Sequence, residues 1–194
     1  MLVVICNVGF FGAAGGPFVL LSPLWRSRAG FTRNDVAPDM DKVGTLALRA
    51  LAYMATTYER KTRAMLEAQR ANTAETYPFA FLGVNLTKML AEVLKLKTST
   101  SSTTNSGGGG YAQLEAAWWG VFENDIEDAA FFELFSLAFG HIDYLWKERR
   151  ANRKQFAPLM RDTKKAIEDL LQTGPASPEQ LLQRAANMGL VHNN

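Results

Sequence analysis

Between residues 43 and 70 the positions Leu51, Met54, Ala55, Tyr58, Thr62 and Met65 recur at spacings of three and four, with no proline and, after Gly44, no glycine. That period puts one stripe on one face of a helix and predicts a single long amphipathic helix over 43–70. Pro78 suits a first helical turn, and Phe79, Leu82, Leu86, Met89, Leu90 and Val93 line one face of a second helix reaching about Lys97. A short helix is expected over 112–122. The next segment, about 125–149, is apolar on nearly all sides through Phe131, Phe132, Leu134, Phe135, Leu137, Phe139, Ile142, Leu145 and Trp146. Ser136, Gly140, Asp143 and Lys147 form its only polar stripe, so this helix is expected at the buried centre of a bundle. Asn124 with Glu127 resembles a capping box, and Asp125, Glu127 and Asp128 set negative charge at the positive end of the helix dipole. After KERRANRK, a basic turn at 147–154, Pro158 marks the first turn of a helix whose Leu159, Thr163, Ala166, Ile167, Leu170 and Leu171 face inward until Gly174-Pro175. Ser177, followed by Pro178 and Gln180, caps a last helix to about Met188. No β alternation longer than four residues is present, and the fold class is all-α, a single-domain bundle of about six to seven helices.

Two stretches interrupt this pattern. KTSTSSTTNSGGGGY, residues 97–111, offers no apolar surface to offset the entropy of ordering and is expected to be a disordered insert. Its four glycines do not form a phosphate-binding loop, because no Gly-Lys-Ser/Thr follows and no strand precedes them. The first 24 residues carry no charge, which meets the length criterion for a membrane span. Asn7, the Gly15-Gly16-Pro17 break and the absence of a basic run before the apolar segment argue against a span or a secretory signal, and Arg26, Arg28 and Arg33 follow it. The preferred expectation is a core-packing segment or a misassigned start, with a membrane anchor as the competing reading.

Composition narrows the function classes. At 194 residues, 47% hydrophobic and 21% charged, the chain suits one globular domain. A net charge of +2, from 21 basic and 19 acidic residues, is too balanced to suggest nucleic-acid binding. Cys6 is the only cysteine, which rules out an intrachain disulfide or a cysteine-ligated zinc and suits a reducing, cytoplasmic setting.

Candidate chemistry is sparse. The histidines are His141, on a helix that is mostly core, and His192, in a tail expected to fray, so a catalytic triad is disfavoured. No Glu-x-x-His pair supports a di-iron bundle, and Asp125, Glu127 and Asp128 stand at helix positions that do not converge on a metal. Neither cofactor nor metal is expected. Lys147, Arg149, Arg150, Arg153 and Lys154 read first as a solvated turn, with anionic lipid or an acidic partner as the functional alternative.

Three ordered segments carry a family resemblance. Gly30, Phe31, Asp35, Asp39, Gly44, Leu46 and Leu48, then YPFAFLGVNLTKMLAEVL at 77–94, then FFELFSLAFGHIDYLWKE and QFAPLMRDTKKAIEDLL within 131–171, are similar to the ELMO (engulfment and cell motility) domain. The resemblance spans about residues 22–172, leaving an apolar segment at 1–21 and a C-terminal helix and tail at 173–194. It implies an all-α module that acts on small GTPases of the Arf and Arf-like group or sits in a Rac exchange-factor scaffold. The associated processes are phagocytosis, cytoskeletal remodelling and membrane traffic. Activating members carry Asp-Phe-Arg-Gly in the loop matching 30–48, with that arginine as the proposed finger. Here Asp39, Met40, Asp41 and Lys42 occupy those positions, so Asp41 stands at the arginine position, and Thr32 replaces the usual glutamine after Gly-Phe. The resemblance therefore implies a GTPase-binding loop of Gly30, Phe31, Asp35, Asp39, Asp41 and Gly44, with activating chemistry impaired or absent. Arg33 or Lys42 are the candidate substitutes in an active alternative. A third expectation is a membrane-anchored adaptor held through residues 1–24 or the basic turn.

Overall fold

The computed structural model describes residues 21–40, 45–70, 76–96 and 129–192. A π-helical turn, Trp25–Ala29, leads to α1 (Ala37–Met40), α2 (Leu46–Thr57), α3 (Glu59–Arg70), α4 (Phe79–Val93), α5 (Ala129–Glu148), a 3-10 turn (Arg153–Gln155), α6 (Phe156–Gln172) and α7 (Pro178–Asn187). Among the described residues the fold is all-α, and the β pairing amounts to an isolated antiparallel bridge between Leu21 and Asp35. No helix among them is long and apolar enough to cross a membrane. Residues 1–20, the insert at 97–111, the helix expected over 112–122 and the cap at Asn124 to Asp128 lie outside the described residues.

α5 is the centre, as its all-round apolar pattern predicts. It contacts α2, α4, α6 and α7, and every residue from 130 to 140 is buried. Phe135 and Phe139 are fully enclosed, Phe139 meeting Phe79 at 4.8 Å between ring centroids. Enclosing such a side chain contributes ~1.5–3 kcal/mol, so this helix organises the domain around itself. α2 and α4 cross closely at Gly83, where a Cβ would come 2.5 Å from Leu51 Cδ2.

The helix expected over 43–70 is instead two helices, broken at Tyr58, whose φ of −117° and ψ of 45° leave the helical region. Thr56 and Thr57 precede the break, and Thr56 Oγ1 donates to the carbonyls of Ala52 and Tyr53 in competition with the regular ladder. The tertiary reason lies in Glu133, a buried carboxylate on α5 that accepts hydrogen bonds from both Tyr53 and Tyr58 at 2.5 Å. In a straight helix positions five apart diverge by about 140° around the axis and cannot share one acceptor. The break turns Tyr58 back towards Tyr53. Burial, reinforced by the hydrogen bond to Glu133, raises the Tyr58 phenol well above its usual range.

α4 stops at Val93, short of the expected Lys97, because Lys95 adopts φ +50° and Leu96 N–H closes back onto the Ala91 carbonyl at 2.9 Å. α5 ends likewise after Glu148, with Arg150 at φ +47° and Ala151 N–H bonded to the Trp146 carbonyl. Asn152 and Gln155 then form a capping box across the 3-10 turn, and Pro158 falls in the first turn of α6. Ser177 Oγ accepts from Gln180 N–H at 3.3 Å, the cap expected for α7.

Candidate functional site

The segment from Gly30 to Ala37 crosses between the π-helical turn and α1, and three neighbours brace it. Gly30 takes φ +78°, and its carbonyl accepts from Phe81 N–H at 3.0 Å. Gln69 on α3 clamps the junction: its Nε2 donates to the Arg28 carbonyl at 3.0 Å and its Oε1 accepts from Phe79 N–H at 2.6 Å. One side chain thus joins the π-helical turn, α3 and the start of α4. Phe31 is 3% exposed and packs edge-on against Trp25, so it anchors the loop in the core. Asp35 is exposed and its Oδ1 accepts from Ala37 N–H at 3.0 Å, which starts α1. Thr32 and Arg33 are exposed at the bend, and Arg33 is in no ion pair among the described residues. Asp39 lies within α1. Asp41, Lys42 and Gly44 lie outside the described residues. α2 begins after Thr45 without a side-chain cap bond.

Two adjoining clefts open beside this loop. One, about 540 Å³, is lined by Phe31, Thr32, Phe81, Trp146 and Phe156, and the other, about 670 Å³, by Ser27, Asn34, Gln69, Arg70 and Thr76. Arg26, Gly30, Pro78 and Arg153 border both. No acidic side chain among the described residues lines either.

The basic turn is divided in role. Lys147 Nζ meets the buried Asp143 at 2.8 Å, and Arg149 meets Asp162 on α6 at 2.6 Å. Arg150, Arg153 and Lys154 are exposed and in no ion pair among the described residues. Asp143 also accepts from the buried Tyr77 hydroxyl at 2.6 Å, and burial raises that phenol well above its ordinary value. Glu133 and Asp143 are therefore tied to tyrosines that hold helices together, not arranged as an acid/base pair.

His192 does not fray. Its ring stacks on Tyr144 at 3.6 Å and its Nε2 lies 3.2 Å from His141 Nδ1, while Lys61 Nζ donates to its carbonyl. Burial first, then the His192 and Arg149 charges, lower the His141 pKa to about 4, against the opposing pull of Asp162 and Glu148. His192 is lowered too, by burial and then by Lys61. The partner of His141 is another imidazole.

Sequence reasoning missed Gln69, Arg26 and Glu133. Gln69 and Arg26 carry no periodic signal. Glu133 lies three residues before Ser136, in register with the polar stripe of α5, and that register was the available clue.

The ELMO/CED-12 family model matches residues 20–160. ELMO domain-containing protein C of Dictyostelium discoideum is 23% identical over 174 residues, 84% of this chain and 25% of that protein. Engulfment and cell motility protein 1 of Homo sapiens is 29% identical over 160 residues, covering 80% of this chain and 20% of its own length. Engulfment and cell motility protein 2 of Homo sapiens is 28% identical over 164 residues, with 82% and 21% coverage. The chain thus spans a quarter or less of the length of these relatives. With the match running from the first bridge residue through the central helix into α6, on an all-α frame, the chain belongs to the ELMO/CED-12 family.

Proposed function

We propose that this chain is an ELMO-type regulatory module that binds a small GTPase of the Arf or Arf-like group, or a Rac exchange-factor scaffold, in phagocytic, cytoskeletal or membrane-traffic signalling. Its GTPase-activating capacity is impaired or absent. The observation that supports this reading is the loop braced by Gly30, Gln69 and Phe81, taken with Asp41 at the position that the family resemblance assigns to the activating arginine. An arginine finger accelerates transfer by roughly 10³ to 10⁵ because its guanidinium neutralises charge growing on the phosphoryl oxygens. A carboxylate there repels the same oxygens. Binding uses the rest of the loop surface and does not require that arginine.

A second reading, an active GTPase activator, has one feature in its favour: Arg33 is exposed on the same loop with no ion pair among the described residues. Lys42 is its alternative, though a lysine lacks the two-pronged donor geometry of arginine. Single-turnover GTP hydrolysis by a panel of Arf-like GTPases separates the readings. Wild type is expected to be inert and Asp41→Arg to accelerate hydrolysis by at least about tenfold. Acceleration by wild type that disappears in Arg33→Ala or Lys42→Ala supports the active reading instead.

A further inference from the structure

The two clefts beside the Gly30 loop form one groove with chemically different halves, and Arg26 and Arg153 stand where the halves meet. Both arginines are exposed and neither is in an ion pair among the described residues. They come from segments far apart in sequence, the π-helical turn and the 3-10 turn before α6, so the fold brings together two cations that no acidic side chain among the described lining residues neutralises. The apolar half exposes parts of Phe81 and Phe156, whose ring centroids lie 5.5 Å apart above the buried Trp146. The helix start beside the groove is not an anion site by itself, because Phe79 N–H and Phe81 N–H are already bonded to Gln69 and Gly30.

We propose that this groove docks an acidic peptide segment of a partner protein, with a bulky apolar side chain seated against Phe81 and Phe156 and flanking carboxylates paired with Arg26 and Arg153. A free phosphate would use the arginines and leave the aromatic half unoccupied. A half-buried aromatic pair in the same cleft as two cations fits a chain that carries both features within a few residues. The inference stands whether or not a GTPase docks on the neighbouring loop, and its test contains no GTPase.

The probes are fluorescein-labelled nonapeptides of aspartate and glutamate with phenylalanine, leucine, tyrosine or tryptophan at the centre, read by anisotropy against the full chain. At least one is expected to bind saturably. Arg26→Glu with Arg153→Glu is expected to weaken it by about tenfold or more, and a serine at the peptide centre to weaken it comparably. Arg150→Glu, on the same basic turn but outside both clefts, is expected to have little effect. Circular dichroism and thermal melts confirm that each variant is folded, and Arg26→Gln serves if charge reversal perturbs folding. Absence of binding by every peptide up to about 1 mM overturns the proposal. Equal weakening by Arg150→Glu, or indifference to the central residue, reduces it to unspecific attraction of polyanions and overturns it too. Arginine-dependent binding to phosphatidylserine vesicles without peptide binding would assign the groove to a membrane surface instead.

Discussion

At Gly30 a methyl group would lie 2.6 Å from both Gln69 Oε1 and Phe79 N, on a backbone already at φ +78°. A left-handed non-glycine residue costs about 1–2 kcal/mol, and relieving the clash would disturb the hydrogen bonds that Gln69 uses to join three segments. Gly30→Ala is therefore expected to destabilise the chain by at least about 2 kcal/mol in urea unfolding. The sequence marks Gly30 as a loop glycine but does not reveal the contact that requires it, because Gln69 and Phe79 are distant along the chain. The histidine pair makes a second prediction at this scale. His141 has a folded-state pKa of about 4, against about 6.5 unfolded, so in between only the unfolded chain takes up the proton. Stability is expected to fall as pH drops from about 6.5 towards 4, with His192 adding in the same direction. Thermal melting across that window checks it, and His141→Gln should flatten the slope.

Helix periodicity told correctly which residues face inward along α2 and α3, yet gave no sign that the two are separate helices. Period alone responds to burial on each side of Tyr58, and burial continues across the break through Met54, Thr62 and Met65. What splits them is the convergence of Tyr53 and Tyr58 on Glu133, a long-range contact. Thr62 supports the junction by donating its fully buried hydroxyl to the Met54 carbonyl at 3.0 Å. Thr62→Val keeps the shape and removes that bond, so a loss of about 1 kcal/mol is expected in chemical denaturation. The helix ends were read well where a local signal existed, as at Ser177, and α4 was read too long, because Lys95 takes the left-handed position that glycine usually marks.

Across the whole molecule the core does not stop where the family match does. The match ends at residue 160, but Ile167, Leu170, Leu171, Leu181, Ala185 and Leu190 are buried in the same cluster as Phe135 and Phe139. The last residues close it: Leu190 is 6% exposed and its N–H bonds to the Ala185 carbonyl, with Gly189 at φ +70° turning the chain inward. A chain ending after Asn187 exposes that surface and removes the His192 stack on Tyr144. A loss of about 2 kcal/mol or more is expected, seen as a lower urea midpoint.

The sequence by itself determined the all-α class, the central place of α5, the α7 cap and the family, because each rests on a local period, a turn residue or a linear motif. The proposed correspondence of Asp41 to the family's arginine position likewise rests on order along the chain. The tertiary structure alone decided that Tyr58 breaks a helix, that Gln69 braces the Gly30 loop, that His192 stacks where a frayed tail was expected, and that Arg26 and Arg153 face one groove. Each of these depends on side chains distant in sequence meeting at hydrogen-bond, stacking or cleft distance, and no pattern within one segment encodes which partner lies across the fold.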